Sequence, residues 1–308
     1  MICAPDKTPL SPLTFGTMQF GGNADAAASA AMYEAARAAG ITHFDTAHVY
    51  TGGASEEILG RLIAPERDKL IIATKVGYSG GAGRQNLLAQ FDISRARLGI
   101  DCVDILYLHR FDPETELAET MDAFATLKAR GQIAHLGLSN FAAWQVMKAQ
   151  TIAARFDLTV SIFQPMYSLV KRQAEVEILP MCIDQGIEIA PYSPLGGGLL
   201  TGKYAKGGTG RLTQDSRYGA RYGLAWMHQA AESLAQLAQE IGTDPATLAV
   251  AWAMHHESRP RPIVSARSAA QLAPSLAALG FEMTEGLRDR LSALAPAPPP
   301  ATDRIEEA

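Results

Sequence analysis

The sequence predicts a (β/α)8 TIM barrel, a single domain over residues 1–308 with a long loop insertion between its seventh and eighth strands. Three observations carry this reading. Short β-rich runs alternate with amphipathic runs along the chain, the amphipathic runs end at glycines and begin near Ser, Thr or Asp, and the apolar runs terminate on polar residues. Period-two apolar patterning marks strands, and Gly stops with Ser/Thr/Asp starts mark helix ends.

In chain order, the strand-like runs are Leu13–Gly16, Thr42–Asp45, Leu70–Lys75, Val103–His109, Ile133–Ser139, Val160–Gln164, Ile187–Ser193 and Pro262–Ser265. The helix-like runs between them are Ala24–Ala39, Ser55–Ile63, Arg84–Leu98, Thr115–Ala129, Ala142–Ala154, Gln173–Gln185 and Ala246–His255. Gly40, Gly99, Gly131 and Gly186 supply the stops. Eight strands alternating with about eight helices in this length give the barrel. An open doubly wound sheet is the alternative, but Phe15-Gly16-Thr17-Met18 is not followed by the tight glycine fingerprint of such a fold. Roughly residues 195–245 are too long for a plain strand-to-helix connection. They contain Gly196-Gly197-Gly198 and Gly207-Gly208-Thr209-Gly210, which predicts a flexible excursion over the barrel mouth. The Pro/Ala-rich Pro296–Ala301 predicts an extended tail on the surface.

Composition narrows the functional classes. At 47% apolar the chain can bury a large core, and a net charge of −5 with interspersed signs points away from nucleic acid and anionic membrane surfaces. Cys3, Cys102 and Cys182 lie far apart without metal-like spacing and read as reduced thiols of a cytoplasmic protein. The N-terminus lacks signal-peptide order, and no apolar run has bilayer length. The expected partner is a small molecule; a homo-oligomer is compatible with the sequence.

The chemistry sits where the strands stop. Asp45, Lys75, His109, Ser139-Asn140, Gln164, Tyr192-Ser193 and Ser265 end seven of the eight strand-like runs. A single such residue is readily a helix cap; the set matches the C-terminal mouth of a barrel, where catalytic groups gather. Lys75 ends the run Leu70-Ile71-Ile72-Ala73-Thr74 and is expected to enter that mouth, where an unpaired ammonium is costly and Asp45 is its natural counter-charge. Tyr50 follows Asp45 in a loop running into Gly52-Gly53. A phenol titrates near pH ~10, and a neighbouring ammonium is expected to lower that value. Tyr50 would then serve as general acid toward a carbonyl oxygen, or base toward an alcohol, with His109 orienting the oxygen. A metal site built from His43, Asp45, His48 and His109 is the weaker reading, because a lysine among them repels a cation.

A proton on oxygen is productive when a hydride reaches carbon, so a cofactor is implied. Ser139, Asn140 and Gln164 suit a carboxamide, and Tyr192 could stack on a flat ring. Gly196-Gly197-Gly198 permits close approach of a pyrophosphate, with Lys203 and Arg211 adding charge. Ser265-Ala266-Arg267-Ser268 opens a helix containing Gln271, and a helix start beside an arginine suits a phosphate.

Six segments in order now resemble the aldo-keto reductase superfamily: Phe44-Asp45-Thr46-Ala47-His48-Val49-Tyr50, Ala73-Thr74-Lys75-Val76, Leu106-Tyr107-Leu108-His109, Gly137-Leu138-Ser139-Asn140-Phe141, Phe163-Gln164-Pro165-Met166-Tyr167-Ser168, and Tyr192 through Tyr204. The Ser-Pro-Leu-Gly-Gly-Gly stretch and the insertion resemble the bacterial and channel β-subunit-like branches. The resemblance implies a reductase of aldehydes or ketones, reversible toward alcohol oxidation, using NADP(H) in preference to NAD(H) without a Rossmann fold. It implies Tyr50 as proton donor, Lys75 and Asp45 as its tuning pair, and His109 as orienter. It implies nicotinamide contacts at Ser139, Asn140, Gln164 and Tyr192, and pyrophosphate contacts at Ser193, Leu195, Gly197 and Lys203. Adenosine-side contacts fall on Ser265, Arg267 and Gln271, and Gly16, Thr17, Met18 and Asp45 join the cofactor set. Ser265 and Ser275 depart from the Gly and Asn of many relatives, while Arg267 keeps a guanidinium for a 2′-phosphate. Substrate-side candidates are Gln19, His48, Tyr50, His109 and Arg110, with Phe20, Tyr78, Phe111 and Tyr222 as further pocket residues. A cofactor-binding regulatory subunit is the competing functional class.

Overall fold

Eight strands form in the order expected: β1 Thr14–Gly16, β2 His43–Asp45, β3 Ile71–Val76, β4 Val103–Leu108, β5 Ile133–Ser139, β6 Val160–Gln164, β7 Glu188–Ile189 and β8 Ile263–Val264. They come from a computed structural model that describes residues 2–204, 207–302, 304 and 306. Adjacent strands pair in parallel in the order β7-β6-β5-β4-β3-β2-β1-β8. The ends of this sheet meet. Arg261 N donates to Ile189 O and Ile263 N to Pro191 O, both at 2.8 Å, and Tyr192 bridges Ile263 in parallel. The curled sheet is thus a (β/α)8 barrel. β7 and β8 are shorter than their apolar runs because Pro191 and Pro262 have no N–H to give a ladder, and Ser193 turns away at φ +61°.

The interior is filled from below. Ile71, Ala73, Ile105, Tyr107, Ile162, Ala190 and Ile263 pack with Ile2, Ala4 and Leu10 of the N-terminal segment, which folds through a Cys3–Pro9 antiparallel bridge. At the same level Arg261 donates to the carbonyls of Leu10 and Ser11 at 3.2 and 3.1 Å and pairs with Glu188 at 3.2 Å. The alternate strand residues, among them Phe15, Phe44, Ile72, Leu106, Leu138 and Phe163, join the larger core under the helices. Side chains alternate with period two. The next inward positions above Ala73, Tyr107, Gly137, Ile162, Ala190 and Ile263 are therefore Lys75, His109, Ser139, Gln164, Tyr192 and Ser265. The strand pattern itself delivers the polar set to the mouth.

Helices α1 Ala26–Ala38, α2 Ala54–Ile63, α3 Arg84–Leu98, α4 Leu117–Ala129, α5 Ala143–Ala153 and α6 Ile178–Gln185 follow the sequence pattern within a few residues, except that the start of the sixth is a separate 3₁₀ turn at Gln173–Glu175. Asp25 caps α1 by accepting from Ala28 N, and Gly99 and Gly186 close α3 and α6 at φ +66° and +64°.

The insertion is more ordered than its glycines suggest. After a 3₁₀ turn at Gly196–Thr201 come α7 Arg211–Gln214, α8 Ser216–Tyr222, α9 Ala225–Glu240 and α10 Pro245–Met254. Residues 205 and 206, inside the expected excursion, lie outside the described residues. α9 is a correction to the loop reading of 195–245: Met227, Ala230, Ala231, Leu234, Leu237 and Ala238 are buried at helical spacing. α11 Ala269–Ala277 and α12 Glu285–Ser292 complete the chain. Among the described residues no helix is long and apolar enough to cross a membrane.

Gly137 has a steric duty in the barrel floor. A Cβ there would stand 2.4 Å from Tyr107 Cδ1, and the fully buried Tyr107 ring lies 5.8 Å below the Lys75 ammonium. Gly137→Ala is expected to destabilise the protein by about 1–3 kcal/mol, an overpacking cost, measured by urea unfolding. A variant as stable as the parent would show that Tyr107 yields freely.

Candidate active site

The centre of the mouth is an ammonium without water contact. Lys75 is fully buried, and its Nζ donates to Asp45 Oδ1 in a close ion pair. It also donates to Thr46 O at 2.7 Å and to the Tyr50 hydroxyl at 3.3 Å. Asp45 Oδ2 accepts from Gln164 Nε2 at 2.9 Å, so each carboxylate oxygen has a separate partner. Burial opposes the Lys75 charge, but Asp45 and Tyr50 outweigh it and hold the amine above the ordinary lysine value.

Tyr50 departs from its expected titration. Burial pushes the phenol up, the Lys75 ammonium pulls it back, Asp45 pushes up again, and the net position is above the ordinary tyrosine value. Desolvation wins because the ammonium that favours phenolate is itself compensated by a carboxylate. The hydroxyl is therefore held protonated beside a fixed positive charge. Tyr50 opens a 3₁₀ turn, Tyr50–Gly53, in which Thr51, Gly52 and Gly53 all take positive φ, at 48°, 65° and 105°. Thr51 is held there by its hydroxyl, which donates to Phe20 O at 2.7 Å and accepts from Ser55 N at 3.0 Å.

His109 lies across from Tyr50, ring centroids 6.0 Å apart and nearly perpendicular. Burial, then the charges of Lys75 and Arg110, pushes its imidazole down to about 3. It is neutral at ordinary pH, and its buried Nδ1 has no hydrogen-bond partner. Tyr78 packs on it at 4.8 Å, and the Arg110 guanidinium sits 5.1 Å above Tyr78.

The remaining strand ends form a second set. Asn140, at φ +58°, donates to His109 O at 2.9 Å and to Ser139 Oγ at 3.1 Å, and accepts from the Tyr192 hydroxyl at 2.7 Å. Ser139 Oγ donates to Gln164 O at 3.0 Å. Ser193, Leu195 and Gly197 follow Tyr192 into the 3₁₀ turn, and a Cβ on Gly197 would stand 2.8 Å from Tyr218. Lys203 Nζ lies 4.8 Å over the Tyr204 ring. Beyond β8, the buried Ser265 Oγ has no partner. Arg267 N donates to Gln271 Oε1 at 2.9 Å, while its guanidinium has no hydrogen bond or ion pair among the described residues. Ser268 caps α11. An orphan hydroxyl, a glycine cradle and an unpaired guanidinium along one path from β5 to α11 fit a phosphate-bearing dinucleotide.

Most other sequence candidates already have partners within the protein. Thr17 is buried, with its hydroxyl on Asp45 O and Ser55 Oγ, so it braces the β2 end; Gly16 abuts Ile263 and Met18 is half-buried. Gln19 is buried and accepts from Asn23, Phe20 packs on Phe15, and Tyr222 is fully buried behind Gly196-Gly197. His48 Nδ1 faces Ser94 Oγ at 3.2 Å, Phe111 packs edge-on against Phe141, and Ser275 is buried. Tyr218 escaped sequence reasoning. It lies between the guanidiniums of Arg211 and Arg221, each 5.4 Å from its ring, beside Gly197. Its signal was the aromatic-basic run Arg217-Tyr218-Gly219-Ala220-Arg221. Among the described residues no group of three or more His, Cys, Asp or Glu could hold a metal ion.

Residues 12–295 match the Aldo/keto reductase family. An uncharacterized oxidoreductase of Bacillus subtilis (strain 168) is 31% identical over 94% of this chain and 93% of its own. A probable voltage-gated potassium channel subunit beta of Oryza sativa subsp. japonica is 30% identical over 96% of this chain and 95% of its own. Aflatoxin B1 aldehyde reductase member 2 of Rattus norvegicus is 34% identical over 82% of this chain and 74% of its own.

The depressed His109 has a consequence for stability. Below its unfolded value of 6.5 the unfolded chain takes a proton that the folded imidazole refuses until about 3. Its contribution is therefore complete above about pH 6.5 and is lost as pH falls toward 3. His109→Gln, which cannot charge, is expected to flatten the fall in Tm across that window; an unchanged slope would count against a neutral buried imidazole.

Proposed function

The chain belongs to the aldo/keto reductase family, and from that premise we propose that it reduces an aldehyde or ketone with NADPH, reversibly, through Tyr50. The family and the named reductases support NAD(P)H-dependent carbonyl reduction by an oxidoreductase. The observation that carries the finer reading is Lys75 Nζ, in contact at once with Asp45 and, at 3.3 Å, with the Tyr50 hydroxyl.

Tyr50 gives its proton to the carbonyl oxygen as negative charge develops there. Lys75 stabilises the phenolate left behind, and Asp45 keeps Lys75 charged and aimed. His109, neutral, bonds the same oxygen and fixes its direction. In alcohol oxidation Tyr50 takes the proton back. NADPH, when bound, supplies the hydride. Ser139, Asn140, Gln164 and Tyr192 hold its nicotinamide end, with Asp45 and Gly16, Thr17 and Met18 lining the approach. Ser193, Leu195, Gly197 and Lys203 hold the pyrophosphate, and Ser265, Arg267 and Gln271 the adenosine side. The preference for NADPH over NADH rests on the Arg267 guanidinium. Gln19, His48 and Arg110 border the substrate side. The whole chain acts as one domain in the cytoplasm, a setting in keeping with three free cysteines.

Tyr50→Phe is expected to lower aldehyde reduction by about 10²–10⁴-fold with NADPH affinity within a few-fold, read by steady-state kinetics and fluorescence titration. Retained turnover would remove the phenol from its role. Arg267→Met is expected to weaken NADPH about 10- to 100-fold, the loss of a charged hydrogen bond, while leaving NADH nearly unchanged. Equal weakening of both would assign Arg267 to general cofactor binding.

A further inference from the structure

The loop that carries Tyr50 turns sharply, and two of its carbonyls are held by a side chain from outside the barrel. Thr51, Gly52 and Gly53 take positive φ in succession; the two glycines do so without steric cost, and Thr51 does so at a cost that surrounding contacts must offset. One side chain of α3 meets both ends of this segment. Arg97 Nη1 donates to His48 O at 3.1 Å, two residues before Tyr50, and Nη2 donates to Gly52 O at 3.4 Å, two residues after it. The same guanidinium pairs with Glu56 Oε2 at 3.2 Å. Glu56 is fully buried on α2, and its other oxygen accepts from Thr74 Oγ1 at 2.6 Å.

Thr74 precedes Lys75 on β3. Thr74 is thus tied outward to Glu56 and Arg97, while Lys75 is tied inward to Asp45 and Tyr50. Gly53 sits at φ +105°, which favours glycine, and a Cβ there would stand 2.3 Å from the Arg97 Cζ and push the guanidinium away. The guanidinium is packed on the loop as well as bonded to it. A buried carboxylate with a bridging arginine gives little net stability compared with apolar packing. It does provide fixed geometry, and a fork with several donors can hold two carbonyls and a carboxylate together.

We propose that Arg97, anchored by Glu56 and Thr74, is a positioning residue for the reaction: it holds the Tyr50 loop so that the hydroxyl stays in reach of Lys75. This rests on the reading of Tyr50 as the proton donor. No hydrogen bond or ion pair joins Arg97 to the cofactor-side residues Ser139, Asn140, Gln164 or Arg267, so its effect is directed at proton transfer.

The test uses the full-length protein, NADPH and two aldehydes that differ in their need for acid assistance, 4-nitrobenzaldehyde and 4-methoxybenzaldehyde. An electron-poor carbonyl accepts hydride with less help from a proton donor, so a displaced Tyr50 hurts the electron-rich aldehyde more. Arg97→Met is expected to lower kcat on 4-methoxybenzaldehyde about tenfold or more and on 4-nitrobenzaldehyde distinctly less, with KM for NADPH within about twofold. Gly53→Ala, which presses on the guanidinium from the loop side, is expected to reproduce that split. Arg97→Lys, which keeps the charge opposite Glu56 but cannot reach both carbonyls, is expected to fall between; these two variants carry the test if Arg97→Met does not fold. An equal loss on both aldehydes, a lost NADPH-induced rise in Tm, or an unchanged kcat would overturn the proposal. If Tyr50→Phe retains turnover, it is the proton-donor reading that fails. If Tyr50→Phe is inactive while the Arg97 variants show no split, the clamp alone fails.

Discussion

The Lys75–Asp45 ion pair is the constraint on which the mouth of the barrel depends. An ammonium with no exposure must keep its counter-charge, since removing one partner of such a pair typically costs about 3–5 kcal/mol. The parallel register of β2 and β3 brings the two together. Asp45 lies opposite Ala73, one inward position below Lys75, so the ammonium extends over the carboxylate. The strand layer beneath is correspondingly crowded and apolar, and a tyrosine ring at position 107 can lie under the pair because position 137 has no side chain.

A fixed positive charge at this point sets the protonation of its neighbours. It opposes a proton on His109, where burial acts in the same direction, and the imidazole is neutral. On Tyr50 the ammonium opposes burial and loses, and the phenol keeps its proton. Both outcomes suit carbonyl reduction: a neutral imidazole can bond an oxygen without adding charge, and a protonated phenol can donate. In the proposed reaction the ammonium would act most strongly as the phenolate forms, which is where stabilisation lowers a barrier.

How much could be read beforehand follows from what periodicity encodes. Asp45, Lys75, His109, Ser139, Gln164 and Ser265 were visible because each ends an apolar run, and period two keeps the end of each run on the inward face of its strand. Their convergence needed the sheet to curl, which the alternation of strand and helix supplied. Two things were not visible. Half of the buried face of α9 is alanine, at Ala230, Ala231 and Ala238, and such a stripe is weak against the glycines that precede it. The titration of Tyr50 is a balance of burial against two opposite charges, and residue spacing gives the charges without the burial. Thr17 and Gln19 show the same limit: their hydrogen bonds to Ser55 and Asn23 were not legible in the sequence.

Asp45 also joins the two halves of the mouth. One oxygen holds Lys75 of β3, and the other accepts from Gln164 of β6, across the barrel. Gln164 receives Ser139 at its backbone carbonyl, Ser139 receives the Asn140 amide, and that amide also bonds His109 O. A chain of hydrogen bonds therefore runs from the ion pair through Gln164, Ser139 and Asn140 to the backbone carbonyl of His109. A molecule that moves Gln164 or Asn140 on binding must disturb the carboxylate that orients Lys75 or the backbone that carries His109.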